Sequence, residues 1–247
     1  MKTIALRYSD EIALLIFLLL PALARGQESR PIPAGSLQVS VFGDYNTSAW
    51  LYPASRDDDP VVRTTYYDMG GFLSIGGEVR MNVSRSNMIG VLFQPLIYRK
   101  VTETIFGYDR AGNYVGVPVN DGFSIFVTEV NGFFNIPIVE GDWRIYLGGG
   151  PSFIYGRREL SIGSAAASTP YVSSFGIQVM AGASWNVSEV WGLRAEMKFR
   201  SPELNTASSF NSSSTTYNGV TVALPGTMYS KINVNGADFI LSAFIVL

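Results

Sequence analysis

Two carboxylates, Glu78 and Glu196, are the residues of this 247-residue chain whose type best suits acid–base chemistry. A carboxylate pair can act as general acid and base when its members are held apart in unlike environments. Here each has basic neighbours two positions along: Arg80 beside Glu78, and Arg194 and Lys198 around Glu196. A spacing of two puts these groups on one side of a strand, where they pair, so a salt-bridged interior is the expected role. There is no histidine and no cysteine. Imidazole acid–base and triad mechanisms, histidine metal sites and thiol chemistry are therefore closed. The run Arg56-Asp57-Asp58-Asp59-Pro60 offers the clustered oxygens that a divalent cation takes, but reads as a solvated surface loop. The glycines of 148–152 lack the lysine and the following helix of a phosphate loop. No catalytic residue, no metal ligand and no cofactor is predicted.

The elements that hold these charges are strands. In residues 191–200, Leu193, Ala195, Met197 and Phe199 alternate with Arg194, Glu196, Lys198 and Arg200. Neither class clusters at helical spacing, and period two means a sheet with one row on each side. Residues 73–83 repeat it, with Leu73, Ile75, Val79 and Met81 against Ser74, Gly76, Glu78 and Arg80. Eight such stretches fall near 36–46, 70–83, 88–104, 122–138, 143–159, 172–186, 190–201 and 231–247. Pro95 predicts a bulge in the third, since proline removes a ladder donor. The faces of the fourth are not assignable, because Glu129 and Asn131 share a row with Phe123, Ile125 and Val127. Asn131-Gly132 could also be a turn that splits this stretch and makes ten strands.

The connections alternate in length without exception. Those at 47–69, 105–121, 160–171 and 202–230 are long and polar; those at 84–87, 139–142 and 187–189 are tight. The serine-rich part at 206–216 reads as a mobile tip. Transmembrane β-barrels sort their loops in this way, and a sandwich has no reason to. Only 15% of residues are charged, while 13% are aromatic and 25 are glycine. Lys2 and Arg7, the apolar run Ile12–Leu20 and Ala22-Leu23-Ala24 predict a cleaved signal peptide over residues 1–26. Its loss takes Lys2, Arg7, Arg25, Asp10 and Glu11 from 18 basic and 20 acidic residues, leaving 15 against 18, which gives no reason to expect nucleic acid. The fold predicted for 27–247 is an all-β, eight-stranded antiparallel up-and-down transmembrane barrel. Its apolar rows meet lipid, because a Lys or Arg on the lipid face near midplane costs about 2–4 kcal/mol. Glu78, Arg80, Arg194, Glu196, Lys198 and Arg200 are then a polar cluster packed in the lumen, with Asp238 as a further partner and glycines 148, 150, 176 and 182 giving bulky side chains room. Trp143, Trp185 and Trp191 adjoin tight turns and are expected as a periplasmic aromatic belt. Tyr66, Tyr67, Phe123, Tyr155, Tyr171 and Tyr229 are candidates for the opposite girdle.

Residues 93–100 (FQPLIYRK) and 133–153 (FFNIPIVEGDWRIYLGGGPSF) resemble the bacterial outer-membrane β-barrel domain family of small PorT-like, or porin-family, barrels. The resemblance implies an eight-stranded integral barrel of a Gram-negative outer membrane and no shared activity. The chain departs from the commonest outer-membrane ending, with Leu247 last and Phe244 on the other row. The best-known enzymes among small outer-membrane barrels rely on histidine, which this chain lacks. The expectation is a non-enzymatic membrane protein with a structural or surface-interaction role, its long loops outside the cell. Its expected partners are outer-membrane lipid, the barrel assembly machinery during insertion and an unidentified extracellular partner. A narrow channel for small solutes and a soluble lipocalin-like binder of an apolar ligand are the alternatives.

Overall fold

The computed structural model of the protein describes residues 34–137 and 142–247, with side chains for all of these except 100–103. The predicted signal peptide and residues 139–141 of one tight turn lie outside the described residues. Eight long strands follow one another: β1 (Leu37–Asn46), β2 (Phe72–Asn82), β3 (Asn87–Tyr108), β4 (Tyr114–Ile136), β5 (Trp143–Ile162), β6 (Val172–Asn186), β7 (Trp191–Arg200) and β8 (Ala237–Val246). Each pairs antiparallel with its neighbours in sequence, and β1 pairs with β8 from Gln38–Val246 to Asn46–Asp238. The sheet closes, so its first and last strands leave no unpaired edge against each other, as a backbone surrounded by hydrocarbon requires.

The rows sort by face. On β7, Arg194, Glu196, Lys198 and Arg200 are buried while Leu193, Met197 and Phe199 are 39–49% exposed. On β2, Leu73, Ile75, Val79 and Met81 point out, and Glu78 and Arg80 point in. Across β3, β6 and β8 the outer wall continues through Phe93, Ile97, Phe175, Ile177, Val179, Phe239 and Leu241, all at least half exposed. A soluble barrel needs the opposite arrangement; this wall is stable where hydrocarbon replaces water.

Several elements differ from expectation. Asn131 and Gly132 lie inside an unbroken β4, paired with Gly90 and Ile89, so there are eight barrel strands. Pro95 pairs with Phe126 in continuous register, and the shift falls instead between Val101 and Glu103. Pairing of β3 with β2 ends at Phe93–Gly77, so beyond it one side of β3 has no ladder to that strand and tolerates a residue without a donor. The connection expected at 105–121 is mostly strand. β3 and β4 run on as a ribbon and turn only at 109–113, where the Asp109 carboxylate accepts the N–H groups of Ala111 and Asn113 and the Asn113 amide. The Asn113 bonds hold this carboxyl below its usual range.

The stretch at 202–230 is also built. Glu203–Ser209 and Thr227–Asn233 pair, and with Trp50–Tyr52 and Tyr67–Asp68 they form a four-stranded sheet across the loop end. Thr206 and Ser208 are buried, so this part is not a mobile tip. Ser214–Tyr217 and Val220–Ala223 form a hairpin around Asn218-Gly219, both at positive φ, the conformation that this dipeptide favours in tight turns. In the first long connection Asp59 caps a short helix, Pro60–Thr64, by accepting the Val61 N–H at 2.8 Å.

In lipid bilayers Val179→Arg, midway along the outer wall of β6, is expected to lower the unfolding free energy by about 2–4 kcal/mol, and Val62→Arg on the exposed helix by less than about 0.5 kcal/mol. Urea titration followed by tryptophan fluorescence measures both.

Candidate functional site

Among the described residues the lumen gathers ionic side chains from many strands, and they sort into two clusters. The first lies toward the tight-turn end. The Arg80 guanidinium bridges Glu78 (2.8 Å) and Glu196 (2.5 Å), Arg194 donates to Glu78 (3.0 Å) and to Gln38 (2.7 Å), and the Tyr146 hydroxyl donates to Glu196 (2.7 Å). Aromatic rings back the cations: Arg80 sits 3.8 Å from the centre of Phe133 and Arg194 4.9 Å from that of Phe244. Gly182 makes this possible, because a Cβ there would fall 2.6 Å from the Tyr146 hydroxyl and 2.8 Å from the Glu196 side chain.

The second cluster lies toward the loop end. Lys198 donates to both oxygens of Glu129 (3.3 and 3.1 Å). Arg200 bridges Asp238 (2.5 Å) and Asp44 (3.1 Å) and donates to Gln94 (3.2 Å). Gln94 donates in turn to Asp44 and to Ser74, and Asn46 to Asp238. Along β1, Phe42 falls between Ser40, which pairs with Glu78, and Asp44; with Leu92 and Ile240 it forms an apolar layer.

The six residues picked out by periodicity are thus all inside the barrel, divided between the clusters: Glu78, Arg80, Arg194 and Glu196 in the first, Lys198 and Arg200 in the second. Sequence reasoning missed Glu129, Asp44 and Tyr146. Asp44 was within reach, since Gln38, Ser40, Asp44 and Asn46 share a row of β1. Glu129 lies on a mixed row. Gly182 and Gly148 face inward beside Tyr146 and Phe133.

Above the ions the lumen turns apolar. Leu96, Phe123, Ile125, Val127 and Ile154 of the barrel meet Ala49, Leu51, Leu204, Ile232 and Val234 of the loop sheet in one buried core. This corrects two expectations. The interior is polar for only part of its height, because the loop sheet folds over it and needs an apolar underside. Phe123 is fully buried and Tyr67 partly buried in that core, so neither belongs to an outer girdle. The remaining candidates are exposed: Tyr155 stacks on Tyr171 (5.0 Å), Tyr66 lies against Trp50 and Tyr52, and Tyr229 lies under Arg56. Arg158, buried, pairs with Asp121 and donates to Ser230 (2.6 Å), tying β5 to the loop sheet. At the other end Trp143 and Trp185 pair across strands and stack at 5.8 Å, and Trp191 is 42% exposed beside Ile245.

The arrangement is a filled interior. Every carboxylate in it touches a cation or an amide, and ions at one level are followed by packed hydrocarbon at the next. Among the described residues no group of acidic side chains is disposed to hold a metal ion.

No known protein family and no characterised protein matches the sequence. Solved structures match the fold. The outer membrane protein OprG from Pseudomonas aeruginosa superposes with a TM-score of 0.55 at 7% identity, over 87% of this chain and 96% of OprG. Ail, the attachment invasion locus protein of Yersinia pestis, is 10% identical over 87% of this chain and 100% of its own, with a TM-score of 0.44. The N-terminal β-barrel domain of Pseudomonas aeruginosa OprF is 9% identical over 87% and 98%, with a TM-score of 0.41. At such identities the likeness is one of fold, and the match to OprG carries it. The chain has the fold of a small outer-membrane β-barrel: eight antiparallel strands, closed, with an apolar outer wall.

Lys198→Met leaves Glu129 buried with only Arg200 at 3.9 Å, and is expected to destabilise the barrel by about 3–5 kcal/mol. Adding Glu129→Leu should restore most of that loss. Guanidinium unfolding in detergent micelles measures both variants.

Proposed function

We propose that this protein is an integral outer-membrane barrel of the small PorT-like kind, exported by its N-terminal signal and inserted by the barrel assembly machinery. It works through the surface it holds outside the cell, without catalysis. The observation that carries the reading is the amount of folded structure beyond the apolar wall. A tilted strand needs about 9–11 residues to cross a bilayer. β3, β4 and β5 have 22, 23 and 20 residues. The surplus, with the loop sheet and the 214–223 hairpin, builds an extracellular body with its own apolar core of Val117, Leu160, Ile162, Val220 and Leu224. A barrel whose only task was to sit in the membrane has no use for such a body. Its surface carries aromatic rings in contact with one another: Phe106, Tyr108 and Tyr114 at the ribbon tip, exposed by 56–71%, and the exposed Tyr66 against the half-buried Trp50 and Tyr52 of the loop sheet. Clustered exposed aromatics of this kind mark protein or ligand contact surfaces.

The channel alternative has a clear readout. Two ion clusters and an apolar core fill the lumen, so the purified barrel in planar bilayers is expected to show no single-channel steps in salt solution, while migrating heat-modifiably on a gel. Regular conductance steps from the heat-modifiable form would replace the surface-interaction reading with the channel one. Recovery of the protein in soluble rather than membrane fractions would remove both.

A further inference from the structure

On the outer wall, the apolar rows stop at one level toward the loop end. β3 passes from Phe93 and Ile97 to Arg99, and β5 from Phe153 and Tyr155 to Arg157 and Glu159. Between them β4 carries Gly122 and Ser124, both covered by their neighbours, with Arg99 opposite Gly122 on one side and Arg157 opposite Ser124 on the other. An open cleft of about 450 Å³ adjoins this level, lined by Arg99, Arg157 and Glu159 with Asn120 and Ser161, and bordered by the buried pair of Asp121 and Arg158. Arg99 reaches Glu159 at 2.5 Å and Arg157 reaches it at 3.6 Å, so two guanidiniums share one carboxylate and the outward face keeps a net positive charge. Arg157 lies 4.8 Å from the ring centre of Tyr171, which anchors it, and its Nε is enclosed without a hydrogen-bond partner. The guanidinium groups remain accessible, with Arg99 72% and Arg157 41% exposed.

We propose that this cleft binds the phosphate-bearing headgroup of an outer-leaflet lipid. Arg99 and Arg157 grip the phosphate, and the acyl chains run down over Ile97, Phe126 and Tyr155. A planar guanidinium matches phosphate oxygens two at a time, and a pair of them set just above a hydrocarbon surface selects an anion that carries its own hydrocarbon. Glu159 holds the two arginines level when the cleft is empty and sets their spacing. The inference rests on the membrane placement proposed above and adds a ligand class to it.

The test uses the full barrel in micelles, with heat-modifiable migration as proof of folding, and native mass spectrometry to follow bound lipid. Diphosphoryl lipid A is expected to bind the wild-type barrel about tenfold more tightly than the same lipid stripped of its phosphates. The double variant Arg99→Gln, Arg157→Gln should lose that preference, while Arg85→Gln at the opposite end keeps it. Equal binding of the two lipids by the wild type overturns the proposal, whether or not the double variant folds. So does retention of the preference by a folded double variant. Displacement of the lipid by millimolar inorganic phosphate assigns the cleft to a free anion and overturns the lipid assignment. A barrel that is heat-modifiable yet indifferent to phosphate fails this inference alone; a barrel that never becomes heat-modifiable fails the membrane reading.

Discussion

A guanidinium or ammonium sealed on the axis of an eight-stranded barrel must meet its counter-charge there, because leaving it uncompensated costs several kcal/mol. Most of this structure follows from that demand. Arg194, Glu196, Lys198 and Arg200 enter from β7 alone, and their partners come from β1, β2, β3, β4, β5 and β8. Those strands must therefore stand in one register around the wall. A slip of one residue on any of them would turn its ionic row to the outside and its apolar row inward. The buried pairs add little net stability over a well-packed apolar core, but they penalise every wrong alignment of the sheet. Gly182 and Gly148 belong to the same solution, since the strands beside Tyr146 and Phe133 can approach only where no side chain intervenes.

The outside of the barrel answers a different demand. With β1 paired to β8, the backbone within the wall needs no water, and the rows of Ile, Leu, Val and Phe can face hydrocarbon. Past the point where that wall ends, the strands are solvated and the usual rule returns, with apolar side chains turning under cover. That change explains why the lumen becomes apolar beneath the loop sheet. It also explains why Phe123, an aromatic at the height expected of a girdle, is fully buried.

Period two made the eight barrel strands legible, as it made the shared row of Arg194, Glu196, Lys198 and Arg200. Closure from end to end followed from the lack of any other way to house such strands in lipid. The pairings across the lumen were not legible, because they depend on register between strands far apart in sequence. Glu129 shows this well: its neighbours two away are Val127 and Asn131, so nothing local says that Lys198 needs it. The loop sheet escaped notice for another reason. Ser, Thr and Asn dominate 203–216, and such composition signals irregular chain, yet a strand that packs one edge on another and one face on a barrel mouth can be built from small polar residues. The ribbon at 104–118 was masked by its glycines and by Pro118, which sit on a two-stranded projection and not inside a sheet.

The bulge between Val101 and Glu103 has a geometric outcome for what the protein can touch. On β3 below it, odd-numbered residues such as Phe93 and Ile97 point away from the axis; above it, even-numbered ones such as Phe106 and Tyr108 do. One inserted residue has rotated the remainder of the strand by half a turn, so that Phe106 and Tyr108 share a side with Tyr114 of β4, Phe106 stacked on its ring and Tyr108 tilted against it. From Arg99 to Tyr108 the ribbon spans roughly nine residues, about 30 Å at the strand rise. It holds that aromatic tip at a set stand-off from the bilayer, where an unpaired tether of equal length would wander. Changes in the reach of this arm are therefore quantised. Two residues added to each strand lengthen it and keep its aspect; a single residue swings the aromatic tip to the opposite side.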